Sequence, residues 1–228
     1  MLSTIPLYTT LVFVVTVLVT LYFFINATHN TRWPKTVAAV WIGLQATLAY
    51  NGFYAVAKMH PERVPLAVAP AFVLIAGLFF TQRGRQWLDG LDLKTLTLLH
   101  VVRVPVELSL FWLFGHKAIP EIMTFAGRNF DILAGITAPV VYYLAFVQKT
   151  MRNKWLLAWN VAALVLLVNI VVTAILSLPM PFQQFGFEQP NVGVLYFPFI
   201  LLPSFVVPVV FLAHVTAIRR LLKDRTAN

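Results

Sequence analysis

Apolar residues in this chain gather into seven runs, each near the length of helix that crosses the hydrocarbon core of a bilayer. The runs fall at about 6–25, 37–57, 66–82, 95–114, 132–148, 155–177 and 195–217. A crossing takes about 20 residues of helix, with a range of roughly 17–25. Most connections are brief, as in NATHNTRWPK, AKMHPERV, QRGRQWLDGLDLK and KTMRNK, and two are longer, GHKAIPEIMTFAGRNFD and LPMPFQQFGFEQPNVGV. No soluble domain fits into any of them. Of the 228 residues, 60% are hydrophobic and 11% charged, whereas soluble domains carry roughly 45–50% apolar and about 25% charged residues. A water-soluble fold of this length has too much surface to hide such a surplus. The pattern predicts an all-α fold, a polytopic membrane protein in which residues 1–228 form one bundle of seven transmembrane helices.

Orientation follows from lysine and arginine. Connections one, three and five and the tail hold Arg32, Lys35, Arg83, Arg85, Lys94, Lys149, Arg152, Lys154, Arg219, Arg220, Lys223 and Arg225; the opposite side holds Lys58, Arg63, Lys117 and Arg128. A twelve-to-four bias places the N-terminus outside and the C-terminus in the cytoplasm. The net charge of +9 is therefore read as a topology signal, and no nucleic-acid partner is expected. The first run lacks a basic leader and reads as a retained helix. The NAT triplet at 26–28 matches a glycosylation acceptor, but this orientation puts it on the cytoplasmic side. Cysteine is absent, which rules out disulfides and thiolate chemistry.

Within the seven runs the acidic and basic side chains, histidine included, are His100, Arg103, Glu107 and His214. The stretch HVVRVPVE carries three of them, and at 100° per residue they fall within a wedge of about 60°. A charge at mid-bilayer costs at least about 2.5–3.5 kcal/mol on insertion scales, so this stripe must face other helices or a cavity. Arg103 and Glu107 stand four apart and are expected to pair along the helix. Pro105 between them frees a carbonyl that Arg103 or a water can take.

Rise per residue from the cytoplasmic basic markers sets the depth of other polar groups. His100, Asn160, Tyr143 and His214 then share one level, five or six residues from Lys94, Lys154, Lys149 and Arg219. Gln45 comes near the level of Arg103, and Asn51 and Asn169 lie higher. Buried amides of this kind also serve simply as bonds between helices, at about 0.6 kcal/mol each. Pro198, Pro203 and Pro208 in the seventh run imply kinks and carbonyls that neighbours must satisfy. Outside, the aromatic- and glutamine-rich connection with Gln184 and Glu188 is a candidate lid. Arg128 and Asp131, also lid candidates, stand at the mouth of the fifth helix, where Asp131 can cap its first turn.

The segments GRNFDILAGITAP, FEQPNVGVLYFP and LDLKTLTLLHVVRVPVE resemble a group of small bacterial integral membrane proteins of unassigned function, over most of the chain. The resemblance implies a bacterial inner membrane and supplies no activity. Nucleotide-loop, dinucleotide, zinc-hydrolase and nucleophile-elbow motifs are missing, and the seventh run has no lysine for a retinal Schiff base.

The leading expectation is a small-molecule or proton-coupled transporter or ligand sensor, more consistent with a non-enzyme. Its ligand or proton site comprises His100, Arg103, Glu107 and His214, with Tyr143, Asn160 and Gln45 around them. In that reading Arg103 holds Glu107 ionised, and an anion or a proton competes for the pair. Alternatives are a haem redox protein with His100 and His214 as axial ligands, a non-catalytic scaffold or partner subunit, and a membrane-embedded lipid enzyme. The partners expected are the lipid bilayer and a small-molecule ligand; no metal and no resident cofactor is expected in the leading reading. Oligomeric state is left open.

Overall fold

The computed structural model describes residues 5–55 and 59–226. Lys58 and the last two residues of the second predicted run lie outside the described residues, as does the Arg225 side chain. The regular elements among the described residues are all helical, without a strand. The helices are α1 (Leu7–Ala27), α2 (Arg32–Tyr50), α3 (Val64–Phe80), α4 (Gln82–Asp89), α5 (Leu93–Leu99), α6 (Arg103–Gly115), α7 (Ile132–Tyr142), α8 (Asn153–Leu176) and α9 (Val207–Thr226). A 3-10 turn at His100–Val102 joins α5 to α6; π turns at Tyr143–Val147 and Leu202–Val206 extend α7 and lead into α9.

A helix lies in each of the seven predicted runs. Among the described residues, five continuous stretches are long and apolar enough to cross a bilayer: Leu7–Ala27, Pro61–Phe80, Leu93–Gly115, Asn153–Leu176 and Leu202–Asp224. Ile132–Val147 is apolar but shorter, and α2, with Arg32, Lys35 and Gln45, is more polar. One expectation needs correction, and one run carries a local defect. The fourth run is continuous over Leu93–Gly115, but Pro105 has no N–H for the carbonyl of Val101 and the chain tightens into the 3-10 turn just before it. The last run starts late: Pro198 precedes the regular helix, and the backbone enters α9 through the π turn that contains Pro203.

Burial separates centre from periphery. In α5–α6 and in the α9 stretch 61% of the apolar window is buried, against 28% in α1 and α8 and 17% in α3. The core is Phe13 and Val17 of α1, Leu99, Val106 and Leu110 of the α5–α6 rod, Leu167 and Ile170 of α8, and Phe199 to Val210 before and within α9. Leu11, Leu18, Val73, Val140 and Val165 on the outer helices are exposed. An apolar exterior around a polar centre is what a helical membrane protein requires.

Prolines determine how α2 is attached. Pro70 in α3 and Pro208 in α9 offer no N–H to the carbonyls of Leu66 and Ser204. Two side chains one turn apart on α2 take both acceptors: Gln45 Nε2 donates to Leu66 O at 3.4 Å and Trp41 Nε1 to Ser204 O at 2.8 Å.

The basic connections meet at one end. The Asp92 backbone N–H donates to Ala27 O at 2.9 Å, His29 Nε2 donates to Gly90 O at 3.0 Å, and Trp33 packs on Trp87. Asp92 caps α5 through Thr95 N at 3.1 Å, and Thr81 caps α4 through Gly84 N at 3.1 Å. The 149–152 turn joins the same end as Met151 packs near Leu156 and Leu221. The opposite end gathers residues 116–131 and 177–201: Val192 N and Gly193 N donate to Ala118 O, and Gln189 Nε2 donates to Phe114 O and Ile119 O.

Asp89 clamps α4 to α9, accepting from Arg219 Nε and Lys223 Nζ at 3.1 Å each. Burial works to raise its pKa, but the Arg219 and Lys223 hydrogen bonds and charges outweigh burial and hold it below the usual carboxylate range. A depressed carboxylate stabilises the fold fully above its unfolded value of about 3.9 and loses that contribution as pH falls through the lower folded value. Asp89→Asn should therefore melt earlier than wild type at neutral pH, by at most about 1 kcal/mol after solvent screening. The gap should close on acidification and in high salt, as read by thermal melting in detergent.

Candidate functional site

The α5–α6 rod presents His100, Arg103 and Glu107 to the interior, all buried. Arg103 is 2% exposed, so its charge must be met by protein. The partner is Asp131, at the start of α7. Arg103 Nε donates to Asp131 Oδ2 at 2.6 Å, and a terminal nitrogen donates to Oδ1 to complete the two-pronged fork. The same terminal nitrogen donates to Ala163 O on α8 at 3.0 Å, and the other donates to His214 Nε2 on α9 at 3.1 Å. Four elements meet on one guanidinium.

Arginine only donates, so the ring nitrogen it meets must be a bare acceptor. That places the His214 proton on Nδ1, which donates to Asn160 Oδ1 at 3.0 Å. Asn160 is itself oriented by donating Nδ2 to Leu156 O at 2.9 Å. His214 is thus neutral and held in a single tautomer. His100 stacks on it with centroids 3.8 Å apart and planes at 13°, and Trp159 meets the His100 ring edge-on at 5.5 Å.

Glu107 has a different partner from the expected one. Its Oε1 accepts from Asn129 Nδ2 at 2.6 Å; Asn129 also donates to Met123 O, and its Oδ1 accepts from Asp131 N at 3.0 Å. Glu107 Oε2 has no protein partner. Segment 116–131 folds tightly back on the bundle to bring Asn129 and Asp131 inside. Gly127 makes this possible, since a Cβ there would lie 2.4 Å from Glu121 O. Gly135 lets α7 approach the Arg103 turn, where a Cβ would meet Val104 N at 2.9 Å.

A cavity of about 110 Å³ lies between α3, α6, α8 and the 191–207 segment. Its walls are aliphatic and aromatic apart from Glu107, Asp131 and Asn191. Asn191 donates Nδ2 to Ala174 O at 3.0 Å, while its Oδ1, like Glu107 Oε2, is buried without a partner. A larger hollow of about 380 Å³ between α2, α3 and α9 has no titratable side chain in its wall. Charge sets the small cavity apart. One guanidinium faces two carboxyls and is bound to Asp131, so an ionised Glu107 is a buried charge without a counterion. A proton or a bound cation relieves it.

The structure brings together His100, Arg103, Asn160 and His214, with Glu107 at the far edge. It does not bring in Tyr143 or Gln45. Tyr143 is half-exposed and its hydroxyl accepts from Gln148 at 3.4 Å; Gln45 is buried between α2 and α3, where its Oε1 accepts from Tyr54 at 2.7 Å. The expected Arg103–Glu107 pair is replaced by Arg103–Asp131, because a facing carboxylate meets both prongs of the fork. Asp131 stands at the N-cap position of α7, but its side chain makes no capping bond and is spent on Arg103. Arg128, Gln184 and Glu188 are exposed and take no part in the cavity wall. Sequence reasoning missed Asn129, Asn191 and Trp159. The polar residues of GRNFD, on either side of Phe130, were the available signal for the first.

Asp131→Asn should leave Arg103 buried without a counterion, a loss of about 3–5 kcal/mol. The double replacement Arg103→Met with Asp131→Leu should be milder, since it removes both charges. Chemical or thermal unfolding in detergent distinguishes the two; equal losses would mean that the ion pair is not what fails in the single variant.

No curated protein and no solved structure matches the chain. A family model described as "Domain of unknown function (DUF8737)" matches residues 63–222, which take in Arg103, Asp131, Glu107, both stacked histidines and the cavity. Over this stretch, from the turn before α3 to near the end of α9, the chain belongs to the DUF8737 family.

Proposed function

We propose that the chain is a seven-span protein of a bacterial inner membrane, with its N-terminus outside and its C-terminus in the cytoplasm. Its Glu107 site serves as the ligand or proton site of a small-molecule or proton-coupled transporter or a ligand sensor. Support for the topology is the grouping of ends. Connections one, three and five and the tail gather at one end and carry the basic bias, whereas 116–131 and 177–201 gather at the other. Reporter tags fused to the two termini should report opposite compartments; a shared compartment would remove one crossing from the scheme.

The functional reading rests on one observation: Glu107 is buried, bonded at one oxygen only, and lines a cavity. Intramembrane ionisable groups are rare and costly, and an unsatisfied one marks a binding or relay site. This revises the mechanism expected for Arg103. Its fork is engaged by Asp131, Ala163 and His214, so it does not hold Glu107 for a competing anion. Arg103, Asp131, His214 and Asn160 act as the interhelical staple that the scaffold reading describes, and Glu107 is the working end.

The haem reading draws no support from the rings. His100 and His214 lie face to face at 3.8 Å, whereas axial ligands aim their ring-plane lone pairs at iron from opposite sides. Both nitrogens of His214 are also engaged.

Glu107→Gln keeps the amide oxygen as an acceptor for Asn129 and removes the titratable group. In proteoliposomes under an imposed pH gradient it should melt like wild type and lose proton flux; undiminished flux would sink the proposed role. A sensor, which carries no flux, should instead retain a co-purifying small molecule in native mass spectrometry of wild type and lose it in the variant.

A further inference from the structure

The cavity beside Glu107 has a chemistry that narrows its occupant. Among the described residues, the polar side-chain atoms of its wall that lack a partner are two oxygens. Glu107 Oε2 and Asn191 Oδ1 have no protein donor. The Asn191 amide cannot turn to present its N–H groups without losing the bond from Nδ2 to Ala174 O at 3.0 Å. Asp131 lines the cavity too, but both its oxygens are held by Arg103. The rest of the wall is apolar, with Phe72, Leu110 and Ile170 among its members.

An anion would meet the Glu107 carboxyl, and Arg103, the one guanidinium near it, is already bound to Asp131. A bare metal cation would find two free side-chain oxygens where hard cations take about six to eight. A quaternary ammonium has no N–H for either acceptor. A primary ammonium group fits on each count: it carries a charge opposite to that of Glu107, three N–H donors for the oxygens, and a carbon tail for the wall. Size limits that tail. The volume of about 110 Å³ falls below the roughly 150 Å³ of an apolar cavity that takes benzene, so the tail is a few carbons long. We infer that this cavity binds a short-chain primary alkylammonium ion, its nitrogen on Glu107 and its tail on the apolar wall. The inference rests on the reading of Glu107 as the working end of the site.

The test uses the full-length protein in lipid nanodiscs, titrated calorimetrically with propylammonium chloride. Tetramethylammonium chloride, sodium butyrate and 1-butanol serve as size-matched controls. Saturable binding is expected for propylammonium, with weak or no binding of the controls. Glu107→Gln should weaken it by roughly tenfold or more, the effect of losing a charge-assisted hydrogen bond, at an unchanged melting temperature. Should that variant fail to fold, infrared spectroscopy of wild type replaces it. Propylammonium should then convert a protonated carboxyl band into a carboxylate band, and binding without that conversion would overturn the assignment. Butyrate or butanol binding as tightly as propylammonium would overturn it, as would undiminished binding to Glu107→Gln. Absent amine binding with Glu107-dependent proton flux intact defeats the ammonium assignment alone and leaves the proton site standing. Loss of both defeats both.

Discussion

A buried guanidinium has to be neutralised and hydrogen-bonded from several directions at once, and Arg103 obtains this from three helices besides its own. Asp131 of the α7 turn supplies the counter-charge, Ala163 of α8 a carbonyl, and His214 of α9 a ring nitrogen. The demand propagates. His214 is confined to one tautomer, Asn160 is oriented by that tautomer, and the His100 ring is laid flat against His214. In a medium where apolar side chains gain little by choosing one another over lipid, such polar contacts do much to specify which helices meet. The Arg103 fork specifies four.

Backbone defects supply a second set of specifying contacts. A helix interior normally has no carbonyl to spare; Pro70 and Pro208 each leave one, and α2 binds both through Gln45 and Trp41. α2, more polar than α1, α3 and α8, is thus attached to α3 and α9 by groups that would otherwise be unsatisfied in lipid. Glycine acts in the opposite sense, by omission: without the open space at Gly135, α7 could not bring Asp131 within reach of Arg103.

Level along the bundle was partly legible in the sequence, and direction around its axis was not. Counting rise from the basic connections put His100, Asn160, Tyr143 and His214 on one level, and three of them do meet. Tyr143 shares the level but faces outward from the π turn after α7. Gln45 was near the right depth on a helix whose polar edge belongs to proline-freed carbonyls. The Arg103 partner was misread for a related reason. Neighbours along one helix can be counted from sequence, whereas the return of 116–131 into the bundle depends on the tight turn at Gly127 and on Asn129, which sequence spacing assigned to an outer loop. The helical runs themselves were readable because length and apolarity in lipid leave few other conformations.

The buried polar residues form one connected chain with a chemical break in it. From Leu156 O it runs through Asn160, His214, Arg103, Asp131 and Asn129 to Glu107, each link a hydrogen bond. Geometry is transmitted along its whole length, because each group is positioned by the next. Protons are not. Arginine stays protonated in proteins and accepts nothing, so a proton arriving at Glu107 has no route through Arg103 to His214. The guanidinium therefore joins the two halves mechanically and blocks a proton relay between them. In the proposed reading, a charge entering the cavity at Glu107 reaches the far half by its field and by the strain it places on the Asn129–Asp131–Arg103 links, and not by proton transfer.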